Sequence, residues 1–246
     1  MDSVKKIVFI TGTDTGVGKT VLTGLLLAFL RGEGCRALAM KPFCSGGRGD
    51  ARLLQAMQRD CLTIDDVNPF YFDKPVAPGA PRAGRAPVPL RTALREIEAV
   101  ARRCDLLLVE GIGGLLAPLG RSYDARDLIK NLDCKTIVVS PNRLGTINHT
   151  LLTVGALQAV CIKGVTIAMM GVKKPDESSA SNPKMVWERL RGVPLVSVPF
   201  LGPGACGKEK IKKSVIFLKK TLARLAGGDT LHPFFAEQKR LIDETC

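Results

Sequence analysis

The chain has 246 residues, of which 46% are apolar and 24% charged, the mix of a globular protein able to bury a sizeable core. No apolar run reaches the roughly 18 residues of a membrane-spanning helix, which excludes a membrane protein of that type. The net charge of +13 favours anionic partners, but aromatic residues are only 5%, too few for good stacking platforms, so nucleotides are expected as partners and nucleic acid is not.

Apolar runs alternate with helical patterns along the chain, the mark of a mostly parallel central sheet with helices on both faces. Lys6–Ile10 reads as a first strand, and Thr20–Arg31 as a helix stopped by Gly32 and Gly34. Arg36–Met40 is a second strand and Asp50–Gln58 looks helical. Val67–Pro89 is rich in Pro and Gly and reads as one long loop. Leu90–Arg103 is a helix, and Asp105–Glu110 a buried strand ending on an acid. Lys135–Val139 is a strand, followed by a helix near Asn148–Cys161. Gly164–Met169 and Leu195–Val198 bring the count to about six strands. Ile211, Val215, Leu218, Leu222 and Leu225 then recur at helical spacing in a basic closing segment. The expectation is one α/β domain over 1–246, with a basic helical tail from about 203 that activity can spare.

Eight cysteines are scattered without a CxxC pair, and there are two histidines, His149 and His232. That spacing argues against a zinc site and for free thiols in a reducing compartment. The N-terminal run MDSVKKIVFITG leads straight into a glycine loop, so it is read as no cleavable signal, and a cytoplasmic location is expected.

That loop, Thr11–Thr20 (TGTDTGVGKT), is entered by a strand and left by a helix. Gly16, Val17 and Gly18 can turn their backbone N–H groups toward a phosphate, with Val21 in the following turn. Lys19 is a point charge for the outer phosphates, and Thr20 supplies a hydroxyl for Mg²⁺. The loop is that of a P-loop nucleoside-triphosphate-binding fold, with one irregularity: the usual first glycine falls at Thr13, and the glycine stands one place earlier at Gly12. Partitioning and switch ATPases carry a second lysine early in the loop. Here Asp14 stands there, which points toward a biosynthetic relative.

Five blocks resemble the dethiobiotin synthetase family, in that family's order over about 6–203. They are TGTDTGVGKT, KPFCSG at Lys41–Gly46, NPFYFDKPVAP at Asn68–Pro78, VEGIGGLLAPL at Val109–Leu119 and LGTINHTLLT at Leu144–Thr153. The resemblance implies ATP-dependent closure of 7,8-diaminopelargonic acid with CO₂ to a cyclic urea, through a carbamate and its mixed anhydride with phosphate. It implies Lys41 and Lys19 as catalytic cations, Thr15 and Ser45 on the diamine or carbamate, and Thr20, Asp50 and Glu110 as Mg²⁺ ligands. Gly111, Ile112 and Gly113 are expected on the nucleotide, Gly113 and Gly114 letting the backbone approach nucleotide or metal closely, and Pro199, Phe200 and Leu201 match the base side. Thr146, Ile147 and Asn148 match a homodimer interface that holds the substrate's carboxylate tail. Asp50 also suits a helix N-cap, Ser45 a turn, and Thr146–Asn148 a plain helix start.

Three departures stand out. Ala168 falls near the place of the family's adenine-reading Asn, which predicts weak base discrimination. Gly79 replaces a histidine, and the spacer from Ser45 to Asp50 is short. Three other readings stay open: a cobyrinate-type amidating enzyme, a switch or partitioning ATPase, and a nucleic-acid-stimulated ATPase.

Overall fold

The structure is a computed structural model and describes residues 7–58, 61–80 and 86–226. The N-terminal run up to Lys6, Arg82–Arg85, His232 and Cys246 lie outside the described residues.

Six parallel strands form the central sheet in the order β2-β5-β1-β6-β7-β8. These are β1 (Ile7–Gly12), β2 (Ala37–Met40), β5 (Leu106–Glu110), β6 (Lys135–Pro141), β7 (Val165–Met170) and β8 (Leu195–Val198). β1 and β5 are buried along their whole length, which is why both read as unbroken apolar runs rather than alternating ones. Right-handed crossovers place α1 (Lys19–Gly32) on one face. They place α4 (Leu90–Ala101), α5 (Ala125–Leu132), α6 (Thr146–Gln158) and α7 (Asn182–Arg189) on the other. β1 lies where the strand order reverses, so the loop after it opens at the switch point, the usual ligand crevice of such sheets.

The outer edge of β2 is covered by a side chain. Buried Gln58, just past α2 (Gly49–Met57), accepts from Ala39 N at 2.8 Å and donates to Ala39 O at 2.9 Å. The amide thus stands in for a neighbouring strand and closes an edge that would otherwise invite pairing.

The segment read as one long loop is partly ordered. Residues 64–67 form a short helix, α3 (Ile64–Val67), started by a Thr63–Asp66 capping box. β4 (Phe70–Phe72) follows and pairs in parallel with β3 (Phe43–Ser45). Phe70 and Phe72 point inward, and the Phe70 and Phe43 rings stand 5.0 Å apart. Three-residue strands give too short a period to read against a Pro-rich background. α5 and α7 were also absent from the sequence reading, although Asp124 and Asp127 form a capping box at the start of α5.

The closing helix α8 (Lys208–Leu225), which the sequence suggested activity could spare, is packed into the core. Ile211, Leu218, Leu222 and Leu225 are buried, and the helix returns across the sheet to lie on α1. The fit is close: a Cβ on Gly24 of α1 would meet Ile211 Cδ1 at 2.8 Å. Removing α8 would strip the helix that the phosphate loop launches.

Candidate active site

The loop Thr11–Thr20 leaves β1 at the carboxyl edge of the sheet. Gly18, in the left-handed conformation at φ 103°, is the residue before α1, and no side chain caps the first turn. The free N–H groups of that turn are therefore available to an anion. The displaced glycine has a steric reason. A Cβ at position 12 would lie 2.8 Å from Val17 Cγ2 and 3.1 Å from Lys19 Nζ. Thr13 only follows the strand, its N–H reaching Val139 O at 2.9 Å, so a side chain is tolerated there.

Lys19 donates to Asp14 O at 2.8 Å and to Gly113 O at 2.6 Å. Two of its three N–H groups are used, leaving one for a phosphate. Burial first, then the nearby Lys41 charge, lowers its pKa to about 8.

Lys41 follows β2 directly and is buried. Its ammonium donates to Asp50 Oδ2 and to Glu110 Oε1, the latter at 2.7 Å. Burial opposes its charge, but the carboxylates of Glu110 and Asp50 outweigh that and hold its pKa above the usual lysine range. The two carboxylates thus favour the charged form of Lys41.

Glu110 joins the parts. It ends β5 beside Ile10, two residues before the loop's strand runs out. Its side chain is 0% exposed. Oε1 also accepts from Thr20 Oγ1 at 2.6 Å, while Oε2 is buried with no hydrogen-bond partner among the described residues. An orphaned buried carboxylate oxygen is costly and calls for a ligand. Among the described residues no three of His, Cys, Asp and Glu make a ready metal cage. Two carboxylates and a hydroxyl are nevertheless a hard-oxygen set that phosphates and waters can complete, which suits Mg²⁺ and not zinc.

The cleft above these groups holds about 680 Å³. Thr15, Gly16, Gly18, Lys19, Thr20, Val21, Lys41, Ser45, Asp50, Glu110, Ile112 and Gly113 all face it, as the sequence reading grouped them. Val17 is buried behind the loop, and Gly111 lies against Phe9, its N–H reaching Ile10 O at 2.9 Å. Sequence reasoning missed Cys44 and Cys206 in the wall; burial pushes the Cys44 thiol up to about 11. Cys44 lies inside KPFCSG, whereas Cys206 stands in the segment before α8 and left no local signal.

Thr146, Ile147 and Asn148 do not line this cleft. They open α6, after Gly145 at φ 89° and without a side-chain cap. Pro199, Phe200 and Leu201 follow β8 and also stand outside the cleft; Gly171 N donates to Val198 O at 2.7 Å beside them. The expectation for Ala168 is corrected. It is 0% exposed in mid-β7, paired to Val139 and Val196, and cannot face a base. β7 ends at Met170, whose side chain already packs on Gly18.

A family profile described as an AAA domain matches residues 6–202. The ATP-dependent dethiobiotin synthetase BioD of Bacillus licheniformis is 39% identical over 77% of this chain and 83% of its own length. The protein of that name from Thermodesulfovibrio yellowstonii is 37% identical over 79% and 86%, and that from Akkermansia muciniphila 32% over 84% and 95%. The chain belongs to the dethiobiotin synthetase family. As a dethiobiotin synthetase it is an ATP-dependent enzyme acting on small molecules. Among solved structures, the MinC:MinD cell-division protein complex of Aquifex aeolicus superposes at TM-score 0.60 with 15% identity, covering 90% of this chain and 96% of that one, and MinD of the same organism at TM-score 0.58 with 15% identity, covering 90% and 97%. The ParA-family ATPase of Chlorobium tepidum gives TM-score 0.56 at 13% identity, covering 90% of this chain and 98% of that one. These likenesses concern the fold alone. Among the described residues no helix is long and apolar enough to cross a membrane.

Proposed function

We propose that the cleft closes 7,8-diaminopelargonic acid with CO₂ into a ureido ring, with the roles divided as follows. One amine captures CO₂ as a carbamate. A carbamate oxygen attacks the γ-phosphorus of ATP and ADP leaves. The second amine attacks the carbonyl of the mixed anhydride and expels phosphate.

The observation that carries this reading is the meeting of Thr20, from the phosphate loop, and Lys41, from the KPFCSG block, on one oxygen of Glu110. The group that holds the nucleotide and the group that would meet the carbamate share one carboxylate. Lys41, a fixed cation, neutralises the carbamate and the transferring phosphoryl oxygens. Lys19 meets the β- and γ-phosphates with its remaining N–H. Thr20, Asp50 and Glu110 would hold Mg²⁺, Glu110 Oε2 being the ready donor; the ion would neutralise charge on the phosphates. Thr15 and Ser45 bind the diamine or carbamate, and Val76, Pro78, Ile112 and Ala117 give its methylene chain an apolar wall.

We further infer a homodimer. Leu144 is 80% exposed beside the uncapped start of α6, with Leu152 exposed two turns on. A partner there would cover the leucines, and the N–H groups at Thr146–Asn148 would receive the substrate's carboxylate. We read 1–246 as one domain, the segment from about 203 included, working in the cytoplasm.

The test is incubation of the chain with the diamine, bicarbonate, Mg²⁺ and ATP. The expected product is heavier than the diamine by one CO₂ less one water, with one ADP and one phosphate per ring. ATP hydrolysis without that product would overturn the reading.

A further inference from the structure

Arg48 and Asn68 touch neither loop nor cleft, yet they tie together the two segments that carry Lys41 and Asp50. Arg48 is the residue before α2 and stands two places ahead of Asp50. Its Nε donates to Asn68 Oδ1 at 2.9 Å, and its Nη2 to Asn68 O at 2.7 Å and Asp65 Oδ1 at 2.6 Å. The guanidinium lies over Tyr71 of β4, 5.4 Å from the ring centroid. Asn68 is fully buried, and its amide donates to Lys41 O at 2.9 Å and Pro42 O at 3.1 Å. The Lys41 N–H in turn reaches Val67 O at 2.9 Å. An unbroken chain of bonds thus runs from the first turn of α2, through Arg48 and Asn68, to the backbone of Lys41.

The two functional side chains need such a frame. Asp50 is 49% exposed, so packing does not fix it. Lys41 carries its charge on a flexible four-carbon stem, so where its ammonium sits depends on where its backbone sits. A misplacement of about 1 Å at a reacting group can cost roughly 100-fold in rate.

We propose that Arg48 and Asn68 are positioning residues that set the separation of Lys41 and Asp50. The proposal rests on the roles given above to those two. Arg48 supplies a planar fork that a lysine cannot copy: two donors to one asparagine, a third contact to Asp65, and a flat face for Tyr71. Asn68 uses both amide hydrogens on consecutive carbonyls and so fixes the Lys41–Pro42 peptide.

The experiment uses the full chain with Arg48→Ala, Arg48→Lys and Asn68→Ala. Turnover is followed against ATP and against Mg²⁺, well below each variant's melting temperature. Arg48→Ala should lower kcat about 10- to 100-fold. Its KM for ATP at saturating Mg²⁺ should stay within about twofold, because the phosphate loop is untouched. The Mg²⁺ concentration for half-maximal rate should rise several-fold, and Arg48→Lys should restore only part of the loss. In a Lys41→Ala background, adding Asn68→Ala should cost less than about twofold, since residues acting through one another do not add. A folded Arg48→Ala with unchanged kcat and Mg²⁺ dependence would overturn the proposal. So would losses of Asn68→Ala and Lys41→Ala that multiply. Full turnover in Lys41→Ala alone would instead remove the role of Lys41, and the Lys41 half of this proposal with it. The Mg²⁺ dependence of Arg48→Ala would then still decide the half that concerns Asp50. Should Asn68→Ala not fold, the two Arg48 variants carry the test.

Discussion

The phosphate wall of the cleft and the outer end of α6 differ in how finished they are. At the wall, Lys19, Lys41, Thr20 and Glu110 are buried or half-buried and already bonded, Lys19 to the Asp14 and Gly113 carbonyls and Thr20 and Lys41 to Glu110. At the start of α6 the first turn is uncapped, Leu144 is exposed, and Thr146 Oγ1 is buried without a partner among the described residues. The wall is preorganised for a charge that every turnover brings. The α6 end looks like half of a site. Preorganised charge accelerates chemistry because nothing must reorient when the transition state forms. An unfinished surface can only bind, and only once something covers it.

The comparison breaks most directly at Lys41. Lys41→Ala should lower kcat about 100- to 1,000-fold, the usual cost of losing one transition-state donor, while the fold survives. The same variant asks whether Lys41 stands where a metal would. With the ammonium gone, Asp50 and Glu110 lose the cation they share. Added Mg²⁺ should therefore raise the melting temperature of Lys41→Ala more than that of the parent chain. Equal shifts would mean that the two carboxylates do not hold the ion.

The wall also depends on what lies behind it. Ile211→Ala in α8 removes a fully buried side chain packed on Gly24 of α1. It should destabilise the chain by about 3 kcal/mol, yet leave ATP affinity unchanged well below melting. Chemical denaturation and ATP titration together read this. A large loss of ATP affinity in the folded variant would mean that the loop is not rigid on its own.

At the α6 end, Leu144→Glu with Leu152→Lys should convert a dimer to a monomer in sedimentation. The KM for the diamine should rise about tenfold, the cost of roughly one hydrogen bond to a charged group. ATP binding should not change. A monomeric parent chain, or a dimeric variant with normal KM, would leave the start of α6 a plain helix terminus.

The sequence disclosed the wall better than the rest for a physical reason. The loop, Lys41 and Glu110 each sit at the end of a strand, where short motifs meet strong periodicity. Gly12 looked like an irregularity until the approach of Val17 and Lys19 accounted for it. Ala168 was misplaced because counting along an apolar strand does not tell where the strand ends; the backbone pairing with Val139 and Val196 does. β3 and β4 were hidden because each is three residues long and finds its partner across 27 positions of chain, as in Phe43 with Phe70. Arg48 was invisible as a functional residue because its partners Asn68 and Asp65 are far along the chain and it falls in the short spacer between KPFCSG and Asp50.

The finest probe of the wall is a proton. In the free protein, burial and the Lys41 charge lower the pKa of Lys19 to about 8. A bound triphosphate favours the charged form and raises that pKa again. At about pH 9 the free lysine is mostly neutral and the liganded one charged, so ATP binding should take up close to one proton at this site. At about pH 6.5 Lys19 is charged in both states and its share of the uptake should vanish. Calorimetric titration in two buffers of different ionisation enthalpy measures the difference. Lys19→Arg, charged throughout, should show no such pH dependence. The effect is small in free energy, but it is specific to the buried ammonium held by Asp14 and Gly113. Uptake that persists unchanged in Lys19→Arg would place the titrating group elsewhere and leave the wall less finished than its geometry implies.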